Sequence, residues 1–245
     1  MGFKDSVWNL YNIDEDFSQA KDLATSNPKK LAELQALFDQ QADKFGVFPL
    51  DDRLAERMIA VRPSVVAGRT KFTYRAGAVR IPEGSAPQLY QRSHTITAKL
   101  TIPKGGAEGV ILATGGSGGG YSLYVKNGKL NYDYNFFQKG VYHIESAAPL
   151  PVGDVEVAFR YEQRPFKPFV ETTGGAGELF VNGKSVGKGE VKNASPARFS
   201  MSETMDIGMD LGAPVSPAYR GKTPFAFNGK IAGVTVEVSP TQPLK

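Results

Sequence analysis

Between Leu130 and Phe136 the chain reads LNYDYNF, alternating amide or carboxylate side chains with large apolar ones. On a strand this period of two places Asn131, Asp133 and Asn135 on one face and Leu130, Tyr132, Tyr134 and Phe136 on the other. A row of Asn and Asp supplies the donors and acceptors that a polyhydroxylated ligand needs, and a tyrosine ring can stack on the apolar side of a sugar. Asn131, Tyr132, Asp133, Tyr134 and Asn135 therefore form a candidate ligand face. The same pattern fits a sheet whose aromatics fill a core while the polar row faces water, the default for an antiparallel sheet with one wet side.

Other reactive groups are sparse. The chain has no cysteine, which excludes disulfides, thiolate zinc sites and cysteine nucleophiles. A glycosidase needs two carboxylates facing each other across a cleft. The nearest approach is SETMDIGMD, with Glu203, Asp206 and Asp210, and its spacing does not place a second Glu where one strand would present the pair. Calcium at Asp206 or Asp210 is a weaker reading still. His94 and His143 are the only imidazoles; each lies in a strand-like run without a ligand cluster or a nucleophile beside it, so both read as core or strand-surface histidines. GGSGGGYS, from Gly115 to Ser122, lacks the Lys-Ser/Thr of a phosphate loop and opens no helix. It reads as a flexible hairpin loop able to skirt a partner surface.

The elements that must position these residues are mostly strands. After Pro63, short runs rich in Val, Ile, Thr, Tyr and Phe are separated by Gly, Pro and Asn-Gly, the texture of an all-β sandwich. YSLYVKNGKLNYDYNF and GELFVNGKSVGKGEV are each two alternating runs around Asn127–Gly128 and Asn182–Gly183. Asn-Gly accepts positive φ at both central turn positions, so both predict type I′ hairpins. FAFNGKIAGVTVEV predicts a closing strand with Ile231, Val234, Val236 and Val238 apolar. LYVKNGK, LFVNGK and FNGKI together resemble the laminin-G and concanavalin-A-like jelly roll. The resemblance implies an antiparallel jelly-roll β-sandwich over 64–245, in a mainly β chain. It implies no ligand, because that fold hosts lectins, glycosidases and adhesion modules alike.

Residues 1–63 have a different texture. Val7, Leu10, Tyr11 and Ile13 predict one short strand, broken by Asp14, Glu15 and Asp16. Asn27–Pro28 predicts an Asn N-cap with Pro at the first helical position. Leu31, Leu34, Leu37, Phe38 and Phe45 then recur at helical spacing up to Gly46, a C-terminal cap. Such an amphipathic helix needs a surface to pack on, and a single strand cannot supply it. Charge separates the two parts as well: residues 1–63 carry 8 basic and 11 acidic side chains, the remainder 21 and 14. That excess of basic groups is too diffuse for nucleic acid. It is compatible with an anionic glycan. No apolar run approaches membrane-spanning length, no signal-peptide h-region opens the chain, and the compartment is open.

WNLYNIDEDFSQAKDLA, the helix opening NPKKLAELQALF, and GVFPLDDR, in that order, resemble the C-terminal end of a bacterial arylsulfatase of the sulfatase family. RIPEGSAPQLYQRSHTITAKL and GGAEGVILATGGSGGGYSLYVKNGKL are similar to the extra β-domain that follows in some arylsulfatases. The resemblance implies that 1–63 is the last strand, helix and connector of a small subdomain, that 64–245 is an accessory β-domain, and that the partner is a sulfatase catalytic domain lying upstream. In that family a formylglycine made within Cys/Ser-x-Pro-x-Arg is the nucleophile and calcium polarises the sulfate. Ser85 opens SAPQL, which ends in Leu89; Ser26 opens SNPKK, which ends in Lys30; in SPAR, from Ser195, the Pro comes one residue early. Asp51–Asp52 lies in a connector and reads as a solvated loop pair. No catalytic, cofactor or metal residue carries over, so this chain alone is expected to be non-catalytic. A stand-alone lectin-like carbohydrate-binding module is the alternative, with glycan as its partner.

Overall fold

Period-two alternation runs through most of the chain after residue 70, and strands such as His94–Ile102, Gly153–Gln163 and Lys230–Val238 bury one side of it. The computed structural model describes residues 6–51, 64–167, 171–200 and 202–240. The chain divides into two compact units, Met1–Arg62 and Pro63–Lys245.

The second unit contains two six-stranded antiparallel sheets. The first is built from β1 (Lys71–Tyr74), β12 (Lys230–Val238), β3 (His94–Ile102), β8 (Gly153–Gln163), β9 (Thr173–Val181) and β10 (Lys184–Asn193), in that spatial order. The second runs β2 (Ile81–Pro82), β11 (Thr204–Ile207), β4 (Gly109–Gly116), β5 (Gly119–Lys126), β6 (Lys129–Asn135) and β7 (Val141–Pro149). The chain crosses repeatedly between the sheets, as a jelly-roll sandwich requires. Asn127 and Gly128 have φ of 52° and 72°, and Asn182 and Gly183 48° and 76°; both Asn-Gly turns are the positive-φ turns their sequence demands. In β12 a register shift lies between Ile231 and Gly233. It explains why the buried residues run Ile231, Val234, Val236, Val238 rather than at strict alternation.

The core between the sheets is aliphatic and aromatic. Tyr132 of β6 stacks on Phe159 of β8 with ring centroids 3.6 Å apart and planes 13° apart, which ties the two sheets at their centre. Tyr121 and Tyr134 both pack on Phe199. At one side β7 folds over β9 and β10. There Gly177 and Gly189, partners in register, make room for Ile144: a Cβ on either would stand 2.6–2.7 Å from its side chain. His94 is a core histidine, its ring 5.1 Å from that of Tyr161 and its Nδ1 2.8 Å from the Arg92 carbonyl. Burial pushes its pKa down to about 4, so it is neutral at ordinary pH. The glycine-rich stretch is not a flexible loop. Gly115, Gly116, Gly119 and Gly120 lie buried inside β4 and β5, with only Ser117 and Gly118 turning between them. A Cβ at Gly115 or Gly120 would fall 2.2 Å from a carbonyl of the facing strand, which is why side chains are absent there.

In the first unit α1 spans Pro28–Lys44. Asn27 begins it but its side chain does not cap; the amide turns back to Ser26 Oγ at 3.0 Å. Gly46, at φ +65°, ends it as expected. Residues 7–13 form no strand. With no neighbouring strand to pair with, the backbone bonds elsewhere: Leu10 donates to Asp22 Oδ1 at 2.9 Å, and Leu23 donates to the Leu10 carbonyl at 2.7 Å. Trp8 packs edge-on against Phe38 at 5.4 Å, and Phe38 against Phe48 at 6.1 Å. Ala42 is the only described residue of this unit that is fully buried. Asp51 is exposed, and Asp52 lies outside the described residues.

Phe159→Ala removes the inter-sheet stack and leaves a cavity that β6 and β8 cannot close. The expected loss is about 3–5 kcal/mol of unfolding free energy, read from urea denaturation followed by circular dichroism.

Candidate functional site

The Asn/Asp row does not face water, contrary to the second of the two expectations. Tyr132 and Tyr134 do face the core, but Asn131, Asp133 and Asn135 do not meet water: all five residues of the candidate ligand face are buried. The cause is the segment 208–227, which lies as a strap across the outer side of the second sheet. Val215, Tyr219 and Phe225 of the strap pack on Val110, Ala113 and Tyr124 in a second, smaller core. Tyr219 stacks on Phe225 at 5.2 Å and meets Tyr124 edge-on at the same distance. Burying those three strap side chains contributes roughly 1.5–3 kcal/mol each, so the strap is a built part of the fold.

Two side chains of the polar row, Asp133 and Asn135, bond the strap directly. Asp133 Oδ2 accepts from the Ser216 hydroxyl and, at 3.1 Å, from the Tyr124 hydroxyl; its Oδ1 lies 2.5 Å from His143 Nδ1. Asn135 Nδ2 donates to the carbonyls of Ser117 and Val215 at 3.1 and 3.2 Å. Asn131 Nδ2 donates to the Lys129 carbonyl. Tyr134 accepts from the Ser195 amide at 2.6 Å. The hydrogen bond to Asp133 raises the pKa of His143 above the ordinary imidazole value, against the opposing effect of partial burial. A glycan reaching this row would first have to displace the strap.

Serine, histidine and aspartate thus converge here, but in an order that does not support nucleophilic catalysis. The carboxylate sits between the other two groups, whereas a working triad puts the imidazole between acid and hydroxyl. Ser216 is also fully buried and already spends its oxygen as acceptor for the Ala218 amide.

Asp206 and Asp210 are likewise committed to backbone. Asp206 accepts from the Arg80 amide at 2.6 Å and the Leu211 amide at 3.0 Å. Asp210 Oδ2 accepts from the Val215 amide at 2.9 Å and the Tyr219 hydroxyl at 2.7 Å. Burial pushes the Asp210 carboxyl up to about 6. Among the described residues no three His, Asp or Glu side chains are grouped to hold a metal ion.

The outer face of the first sheet is different: no strap crosses it among the described residues of this unit. Thr95 and Thr97 of β3, Glu156, Ala158 and Arg160 of β8, and Phe180 of β9 line an open groove of about 230 Å³. It is continuous through Thr95 and Arg160 with a depression of about 360 Å³ reaching Glu162 and Glu237. The Arg160 guanidinium lies over the Phe180 ring, 4.8 Å from its centroid. Sequence reasoning passed over these residues. The available signal was the alternation in HTITAKLTI and GDVEVAFRYEQ, whose outward positions are Thr, Lys, Arg and Glu.

No family model matches this chain, and no curated protein matches it. Among solved structures, it is similar to the Ruminococcus gnavus IT-sialidase CBM40 bound to alpha2,3 sialyllactose. The two are 16% identical, 70% of this chain and 94% of that one are covered, and the TM-score is 0.47. It is also similar to the leech intramolecular trans-sialidase, at 13% identity over 71% of this chain and 26% of that one, TM-score 0.47. Mouse laminin alpha1 chain domains LG4-5 are similar at 14% identity over 75% and 45%, TM-score 0.37. The likeness to arylsulfatases rests on the sequence motifs alone. No helix among the described residues is long and apolar enough to cross a membrane.

Ser216→Ala takes one hydroxyl donor from a buried carboxylate. It is expected to cost about 1–3 kcal/mol, lowering the urea midpoint while leaving the amide spectrum of β3 and β8 unchanged in NMR.

Proposed function

We propose that this chain is a non-catalytic, carbohydrate-binding β-sandwich module that holds a short saccharide on the open face of its first sheet. The observation that carries this reading is the asymmetry of the two sheets among the described residues of this unit: the strap covers the central strands β4, β5 and β6 of the second, and β3, β8 and β9 of the first carry no such cover. Along the groove, Thr95 and Thr97 provide hydroxyls on a shallow floor kept low by Ala158. Phe180 provides an aromatic edge. Arg160 makes no ion pair among the described residues, and its stacking on Phe180 holds its planar set of donors in place. Rigid strands carry all of these groups, so a sugar pays little to order them.

The test is a glycan-panel titration followed by calorimetry. Arg160→Ala and Phe180→Ala are each expected to weaken binding tenfold or more, about 1.4 kcal/mol, with the circular dichroism spectrum unchanged. Failure of every glycan to bind sinks the reading. Binding that survives both substitutions but is lost in Asn135→Ala would move the site to the second sheet, under the strap.

A second reading is favoured by a separate observation. In the first unit Leu34, Leu37 and Phe45 of the helix face, with Trp8, Phe17, Val47 and Phe48, remain exposed. An apolar surface of this kind marks an interface. It supports the reading of this chain as the C-terminal portion of an arylsulfatase, with the helix face covered by the catalytic domain and the sandwich serving as an accessory domain beside it. An antibody raised against this chain checks this on a denaturing gel of the source cells. A band well above 26.5 kDa is expected on this reading, and a single band at 26.5 kDa removes it.

A further inference from the structure

The strap over the second sheet hangs on carboxylates. We propose that the segment 208–227 is a pH-responsive cover, suspended from Asp133 and Asp210, that closes more firmly in mildly acidic than in alkaline solution. The inference is independent of the groove on the first sheet.

The geometry sets up the response. At the start of the strap, Asp210 donates its own amide to the Pro224 carbonyl at 2.9 Å, joining the two ends. Its side chain then holds the middle: the Val215 amide and the Tyr219 hydroxyl both land on Oδ2. A proton placed on Oδ1 leaves both bonds in place; they are stronger to the carboxylate, but burial outweighs them and favours the neutral acid. The groups facing Asp210 are the Tyr219 hydroxyl from the strap and the carboxylates of Asp206 and Glu203 from β11 and the turn before it. Two acidic neighbours and a buried site favour the neutral form, and the closed state loses ground when Asp210 ionises.

At the second attachment, Asp133 binds the Ser216 hydroxyl through one oxygen and His143 through the other. His143 is faced by Asp133 from β6, by Glu145 on its own strand β7, and by Lys126 from β5. Lys126 itself donates to the strap carbonyl of Ala218 at 2.7 Å. A charged imidazole compensates the buried Asp133 carboxylate, and a neutral one does so only through its N–H.

The signs agree at the two attachments. Burial raises Asp210 from 3.8 to about 6 in the closed state, so opening becomes easier as pH climbs through that interval. The raised pKa of His143 gives a contribution that is complete below the ordinary imidazole value and is lost as pH rises through the closed-state value. Both groups therefore loosen the strap in the same direction. His94 acts oppositely and elsewhere: its lowered pKa weakens the sandwich as a whole when pH falls from 6.5 towards 4.

Amide hydrogen exchange on the whole chain tests the proposal, read as protection factors so that the intrinsic pH dependence of exchange cancels. The Val215, Ala218 and Lys222 amides, bonded to Asp210, Ser216 and Tyr219, are expected to lose roughly tenfold or more of their protection between pH 5 and pH 8, since one pKa unit corresponds to a factor of ten. The Val157 and Phe159 amides in the core serve as the reference and should not follow them. Asp210→Asn should flatten the lower half of the response and His143→Gln the upper half. Strap protection that stays constant with pH, or that moves in step with Val157 and Phe159, overturns the proposal; this wild-type comparison decides even where a variant does not fold.

Discussion

A carboxylate can be buried only where its charge and its lone pairs are satisfied, and Asp133 is where the second sheet meets that requirement. Its two oxygens take hydroxyls from Ser216 and Tyr124 and a ring nitrogen from His143. Those partners come from the strap, from β5 and from β7. The strap position, the rotamer of Tyr124 and the seat of His143 are thus fixed around one side chain. Without the strap the Asn131–Asp133–Asn135 row would be an ordinary wet face. With it, β4, β5 and β6 are covered on both sides, and their outer surface includes a small core of Val110, Ala113, Tyr124, Val215, Tyr219 and Phe225.

This one-sided investment leaves the two sheets with different outer faces. The two sheets share a core centred on the Tyr132–Phe159 stack, and each then has one face left. On the second sheet that face is spent on the strap. On the first, exposed residues are paired locally: Lys71 with Glu237, Lys188 with Glu178, and Arg164 with Glu190. Such exposed pairs contribute little to stability; Arg160, opposite Glu178 in register, lies over the Phe180 ring. The groove beside it is lined by Thr95, Thr97, Ala158, Arg160 and Phe180.

The first unit poses a different physical problem. A helix of 17 residues with one buried side chain cannot owe its order to its own packing. Its local hydrogen bonds are well made: Asp16 accepts from the amides of Ala20 and Lys21, and Asp22 from those of Leu10 and Ala24. These bonds shape a loop; they do not bury apolar surface. Leu34, Leu37 and Phe45 leave one side of the helix exposed.

Local rules determined a large share of this protein. Asn-Gly turns, alternating strands, the proline start and glycine end of α1, and the inward set of Tyr132 and Tyr134 follow from φ preferences and from the period of two, which act over a few residues. The same rules failed where distant chain decides the outcome. Residues 7–13 have strand composition but no partner strand. The glycines from Gly115 to Gly120 look like a loose loop, yet they are small because facing carbonyls stand where side chains would be. The fate of the Asn/Asp row was beyond local reading for the same reason. Whether Asp133 meets water, a sugar or Ser216 depends on a residue 83 positions away, and only tertiary folding lays that strap over one sheet and leaves the other bare.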